Sequence, residues 1–104
     1  MTIAIKDALK GRAFPDAGAF LYDTMINNID SQDKFIWDLS GVSELPSMFL
    51  NMCLGKLVKE RGADFVKCKI SFTNITRAQA HRIVDYVSKL TAANQELKTE
   101  SHKR

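Results

Sequence analysis

The stretch 35–58 (FIWDLSGVSELPSMFLNMCLGKLV) constrains the fold of this chain more than any other segment. It runs from a short apolar strand, 35–37, through a small polar turn, 38–41, into an apolar helix that begins at Pro46. Such a junction is typical of a parallel α/β sheet, where binding surfaces form outside the carboxyl ends of the strands. The connection 38–47 holds several small hydroxyl side chains and only two acids, so we expect it to bind rather than to catalyse.

Size and charge favour one ordinary globular domain. The chain has 104 residues and a mild net charge of +3, much of which lies in the segment 98–104, so charge alone does not indicate nucleic-acid binding. No apolar run approaches the roughly 18 residues that span a bilayer, and the N-terminal residues do not resemble a signal peptide. We expect a single domain over 1–97, a basic, frayed tail over 98–104, and no membrane partner.

The cysteines indicate a reducing compartment. Cys53 and Cys68 are too few and too far apart for a disulfide framework or a zinc site. Cys53 falls on the apolar face of the central helix and is interpreted as a buried thiol, whereas Cys68 is placed at the start of a strand. We therefore expect a cytoplasmic protein without a metal or a cofactor.

Apolar periodicity predicts strands that alternate with helices. The predicted strands are 2–5, 34–39 and 67–72, and the predicted helices are 16–29, capped by Asp16, then 46–61, then 76 to at least Leu90. Thr76 and Gln79 fit a capping box at the start of the last helix. Phe20 and Val84 are counted among the side chains that face the core.

Short connectors between these elements imply parallel pairing and right-handed crossovers. The predicted fold class is α/β: a small, mostly parallel sheet of three to four strands with alternating helices. The segment 10–14 is the candidate fourth strand. Because 35–37 is apolar at every position, we expect helices on both faces of the sheet.

The motifs of common enzyme classes are missing. The sequence has no phosphate-binding glycine loop, no dinucleotide fingerprint and no nucleophile elbow. A serine nucleophile needs a base, and His81 and His102 are placed on a helix surface and in the tail. Asp38 is interpreted as a turn former and Glu44 as a solvated loop acid, with ligand or partner contact as the alternative. We expect no enzymatic activity.

Ser47 is the sharpest candidate for a functional residue. It lies in the first turn of a helix, where free N–H groups and the helix dipole favour a bound phosphate or a phosphate added to the serine itself. An ordinary capping serine is the structural alternative. Met48 and Met52 also have two interpretations: they pack adaptably against a partner protein, or they form the edge of the core.

The stretch 38–42 (DLSGV), followed by Leu45, Pro46 and Ser47, resembles the phosphorylation loop of STAS domains, the fold of anti-sigma-factor antagonists. The closer resemblance is to a divergent STAS-like domain family of unknown function; it covers most of the chain and is strongest over 35–74. The residues that carry it are Asp38, Leu39, Ser40, Gly41, Val42, Ser47, Phe49, Leu50, Gly55, Lys56, Leu57 and the following segment 69–74.

The helix start departs from the pattern of STAS antagonists, which carry an acidic residue, then serines, then glycine. Pro46 takes the acidic position, Ser47 the first serine position, and Met48 the position of the usual phosphoacceptor. Phe49 replaces the glycine. Methionine cannot accept a phosphate, so Ser47 is the candidate phosphoacceptor, and a docking surface without the switch is the interpretation that we favour.

The resemblance implies a bacterial, non-enzymatic regulatory module similar to an anti-sigma-factor antagonist, with a histidine-kinase-like ATPase as its protein partner. A homodimer is a further expected contact. The alternative function is a small-ligand or nucleotide sensor that uses the helix N-terminus at Ser47; nucleic-acid binding through the basic tail is a third and less favoured hypothesis. The expected partner-binding residues are Ser40, Gly41, Ser43, Glu44, Ser47, Met48, Asn51 and Met52.

Overall fold

The computed structural model describes the backbone of residues 1–102 and the side chains of residues 1–91. The strands are β1 (Thr2–Ala4), β2 (Phe35–Asp38) and β3 (Ile70–Thr73). The helices are α1 (Ile5–Leu9), α2 (Phe14–Asn27), α3 (Ser47–Leu50), α4 (Lys56–Arg61), α5 (Ala63–Lys69) and α6 (Arg77–His102), and a π-helical segment (Asn51–Gly55) joins α3 to α4. The predicted α/β class is confirmed.

The strands form a parallel sheet in the order β1-β2-β3. Because the three strands lie side by side in the order of the sequence, right-handed crossovers between them place every connecting helix on the same face of the sheet. On that face Trp37 is fully buried, with its ring centroid 6.4 Å from that of Phe49 and 5.5 Å from that of Phe72. On the opposite face Ile36 is only half-buried. The prediction that helices cover both faces is therefore wrong.

The core lies between the sheet and the central helical stretch 47–61. The predicted inner face of that stretch is confirmed, since its apolar residues Phe49, Leu50, Cys53, Leu54, Leu57 and Val58 are all buried. Helix α2 packs against it at Gly18, where a Cβ atom would lie 2.5 Å from the backbone oxygen of Phe49. Only a glycine permits this approach of the two backbones.

The third strand begins later than predicted. Residues 67–69 belong to α5, and β3 starts at Ile70. Gly62, with a φ of +90°, ends α4, and the chain then re-enters a helix. Val66 and Ile70 are buried four residues apart, a spacing that suits a helix as well as strand alternation does. Cys68 therefore lies exposed on α5, not at the start of a strand.

The segment 10–14 does not form the fourth strand. Residues 10–13 make a turn, in which Gly11 has a φ of +69° that is incompatible with extended pairing. Helix α2 begins at Phe14, two residues before the predicted cap at Asp16. Pro15 lies in its first turn, where a missing N–H has no cost.

Phe20 and Val84, both predicted to face the core, are exposed instead. Phe20 is 44% exposed on α2, where the Arg12 guanidinium lies 3.8 Å from its ring centroid. Val84 is 68% exposed on α6. Phe20 precedes the buried Leu21, and Val84 follows the buried Ile83. Side chains at neighbouring helical positions point about 100° apart, so a narrow helix contact buries only one residue of each pair.

The start of α6 is as predicted. The Thr76 N–H donates to Gln79 Oε1 at 3.0 Å, and the Gln79 N–H donates to Thr76 Oγ1 at 3.1 Å, which completes the capping box. The helix continues past Leu90. The predicted basic tail, 98–104, lies outside the residues whose side chains are described. Within the described residues, no helix has both the length and the apolar character that crossing a membrane requires.

Candidate functional site

The loop between β2 and α3 starts with a turn held by Asp38. Its Oδ1 accepts hydrogen bonds from the Asn74 side chain and from the Ser40 backbone N–H, each at 3.0 Å. These bonds, with that from Asn74 the larger influence, hold the pKa of the Asp38 carboxyl below its ordinary value. Gly41 follows with a φ of +75° and lies against the Lys6 side chain. Asp38 is thus a turn former, as predicted.

Two side chains of α6 form hydrogen bonds with the rest of the loop and with Ser47. Gln79 Nε2 donates to the Val42 carbonyl at 2.6 Å. Arg82 Nε donates to the Leu45 carbonyl at 3.1 Å, and Arg82 Nη2 donates to Ser47 Oγ at 2.8 Å. The loop is therefore held at three points, and Ser47 is joined to a guanidinium group.

Arg82 separates two surface recesses. The first, of about 300 Å³, lies between the loop and the start of α6 and is lined by Ser43, Glu44, Leu45, Pro46, Ala78, Gln79 and Arg82. The second, of about 360 Å³, lies between the central helical stretch and α6 and is lined by Ser47, Asn51, Arg82, Asp85, Tyr86, Lys89 and Leu90. Half of the predicted partner-binding residues, Ser43, Glu44, Ser47 and Asn51, are therefore brought together around Arg82.

The other predicted residues lie apart from this group. Ser40 and Gly41 occupy the far end of the loop, beside Asp38 and Lys6. Met48 is 53% exposed on α3. Met52 is half-buried, and its Cβ would lie 2.7 Å from a Cβ on Gly18, so this methionine belongs to the α2 contact.

The charged residues that line the recess at Ser47 are Arg82, Lys89 and Asp85, which together carry one net positive charge. Arg82 contacts the serine hydroxyl, and Lys89 forms an exposed ion pair with Asp85 at 3.2 Å. Tyr86 Oη donates to Asn51 Oδ1 at 2.5 Å, and burial raises the pKa of the Tyr86 hydroxyl. This arrangement favours an anion beside Ser47, because the guanidinium group presents N–H donors to it.

Cys53 offers no reactive thiol. It is fully buried, its Sγ donates to the Phe49 carbonyl at 3.3 Å, and burial raises its pKa to about 12. The thiol therefore stays protonated and unreactive at neutral pH, and the predicted buried thiol is confirmed. Among residues 1–91, no three His, Cys, Asp or Glu side chains are grouped so that they would hold a metal ion.

Arg82 is the site residue that the sequence did not reveal. It lies three residues after Gln79, on the same face of α6. Nothing in its local pattern distinguishes it from the other surface cations of the helix. Its partners lie 37 and 35 residues earlier in the chain, and only the packing of α6 brings them together.

Comparison with known proteins gives one match. The model of a family described as a STAS-like domain of unknown function (DUF4325) matches residues 17–80, which is more than half of the chain. The matched range extends from α2 to the first turn of α6 and contains the whole loop with Ser47. No curated protein and no solved structure matches significantly.

Proposed function

The chain belongs to the STAS-like domain family of unknown function, and we propose on this basis that it is a non-enzymatic, cytoplasmic regulatory module that docks a protein partner. The docking surface is the loop 40–46 with the exposed start of α3, Ser47 and Met48. The fixed geometry of the loop carries the proposal: Gln79 and Arg82 hold it from α6, while Glu44 and Met48 stay exposed. A loop ordered before binding loses less entropy when the partner arrives.

The exposed side chains of this surface supply apolar and polar contacts together. Met48 is 53% exposed and is a flexible, polarisable group that adapts to the shape of a partner. Ser43 and Glu44, in the loop that precedes α3, are exposed polar residues. An apolar contact with a polar surround is the usual composition of a protein interface.

The proposed partner is a histidine-kinase-like ATPase, by analogy with the antagonists that STAS domains resemble. Docking without a phosphate switch is the main proposal. Ser47 is the candidate phosphoacceptor for a switch added to it: its Oγ would take the γ-phosphoryl group of ATP, and ADP and the hydroxyl proton would leave. The new phosphate would lie beside Arg82, whose Nη2 is 2.8 Å from Ser47 Oγ. Charge-assisted hydrogen bonds to the guanidinium would then tighten α3 against α6 and change the surface that the partner meets.

Photo-crosslinking tests the docking surface. A benzophenone side chain is placed at Met48 and, as the matched control, at Phe20, an exposed apolar residue of α2. We expect an ATPase of the proposed class to be crosslinked from position 48 and not from position 20. Met48→Glu should abolish its binding, and Phe20→Glu should not. Equal crosslinking from both positions, or full binding by Met48→Glu, would place the interface elsewhere.

A small-anion or nucleotide sensor is the second candidate function. It is favoured by the recess of about 360 Å³ that Ser47, Arg82 and Lys89 line, in which the Arg82 guanidinium contacts the Ser47 hydroxyl. A ligand that binds the folded state raises its melting temperature according to its concentration and affinity. ADP or inorganic phosphate should then raise Tm for the wild type and for Lys59→Gln, a control outside the recess, but not for Arg82→Gln. An equal shift in all three proteins would argue against the recess.

A further inference from the structure

A separate, apolar recess lies on the side of α6 that faces α5 and β3. Its volume is about 460 Å³, within the range of roughly 300–1,000 Å³ that small-molecule sites occupy. It shares no lining residue with the two recesses around Arg82. Its walls are formed mainly by Leu54, Ile70, Phe72, Ile83, Val84 and Val87.

The rim of this recess carries a positive charge. Lys67 is exposed on α5 at the rim, and it forms no ion pair with any side chain of residues 1–91.

We propose that this recess binds one medium-chain fatty acid, with the alkyl chain along the apolar wall and the carboxylate at Lys67. Lys67 is the only charged residue of the described lining, so an anionic head group is favoured over a neutral or a cationic one. The inference is independent of the docking surface, because no residue is shared.

A second copy of the chain fits this recess less well. A symmetric dimer formed through it would pair the lining with itself. The described lining holds no acidic residue, so neither copy would offer a negative charge to the Lys67 of the other. One fatty-acid molecule, with its alkyl chain and its carboxylate, instead supplies both the apolar surface and the missing negative charge.

Trp37 provides a built-in reporter of occupancy. It is the single tryptophan of the chain, and its ring centroid lies 5.5 Å from that of Phe72, which lines the recess. The probe is decanoate, titrated below its micelle concentration. We expect a saturable change in Trp37 emission at one molecule per chain, together with a rise in Tm. No saturable change, or a fall in Tm, overturns the proposal.

Charge reversal tests the position of the carboxylate. Lys67→Glu should weaken decanoate binding by about five- to tenfold, since it replaces an exposed attraction by a repulsion. Lys59→Glu, which makes the same change on α4 outside the recess, should leave the Kd unchanged. Decanol, which has no charge, should bind both variants equally. Equal effects of the two variants on decanoate overturn the proposed head-group site.

Two further variants test the apolar wall and the alternative occupant. Val87→Phe fills the recess and should abolish the binding of decanoate and decanol while the cooperative unfolding transition remains. Undiminished binding to that variant would contradict the site. Sedimentation tests the second copy: a wild-type dimer that Val84→Glu converts to a monomer would show that another chain covers the recess and would overturn the proposal.

Discussion

Helices α2 and α6 flank the central stretch 47–61 and hold it in different ways. On the α2 side, Gly18 brings two backbones into contact at Phe49, and Leu21 is fully buried. On the α6 side, hydrogen bonds such as those of Arg82 replace close packing, and a recess of about 460 Å³ remains. Helix α2 thus stabilises the fold by close packing, whereas the part of α6 before residue 92 leaves recesses at the surface.

The largest expected difference between the two sides comes from core truncation. Leu21→Ala should lower the free energy of unfolding by about 4 kcal/mol, and Ile83→Ala by only about 2 kcal/mol, because Ile83 already borders open space. Urea unfolding of both variants measures the two losses. Equal losses would mean that α6 packs as closely as α2 in solution.

The second-largest difference in stability is expected between alanine substitutions at two glycines, Gly18 on α2 and Gly55 in the central stretch. Gly18→Ala should lower the free energy of unfolding by about 2 kcal/mol, since its Cβ would meet the Phe49 backbone oxygen at 2.5 Å. Gly55→Ala should change it by less than about 1 kcal/mol: its Cβ would meet the Tyr86 hydroxyl at 2.6 Å, and that side chain can rotate away while alanine favours the helix. Thermal unfolding compares them. A larger loss at Gly55 would reverse the comparison.

A smaller effect is expected from the hydrogen bonds between α6 and the loop. Gln79→Ala and Arg82→Met should each cost about 1 kcal/mol. They should also lower the hydrogen-exchange protection of the loop amides, because these side chains hold the Val42 and Leu45 carbonyls. Arg77→Met, the same change in the first turn of α6, is the control. Unchanged loop protection in Arg82→Met would show that the loop is held by other contacts.

The smallest expected effect is the pH dependence at the other end of the loop. Hydrogen bonds from Asn74 and Ser40 lower the pKa of Asp38 in the folded state. Its contribution to stability is therefore complete above the unfolded pKa of about 3.9 and is lost as the pH falls through the lower folded value. Stability measured below about pH 4 should fall less steeply for Asp38→Asn and for Asn74→Ala than for the wild type. Identical slopes would assign the acid sensitivity to other carboxyl groups.

Most elements of this fold were predictable because their signals are local. The capping box at Thr76 joins residues three positions apart, and the buried face of 47–61 repeats at helical spacing. The short segment 63–69 was misjudged for the same reason: alternation and helical spacing agree at Val66 and Ile70, so the local pattern could not separate strand from helix.

The sequence also predicted that Ser47 lies at the start of a helix, after a polar loop. Its contact with Arg82 was not predictable, since these two side chains are 35 positions apart and meet only when α6 packs beside α3.

The amino-acid sequence alone was sufficient for the alternation of strands and helices, for the core face of the central stretch and for the loop that follows β2. These features depend on interactions between residues close along the chain, and such interactions leave a periodic pattern. Tertiary structure decided the strand order β1-β2-β3, which places the helices on one face of the sheet. It also decided how α6 packs against the central stretch 47–61. Those choices depend on packing between distant segments, which no local pattern records.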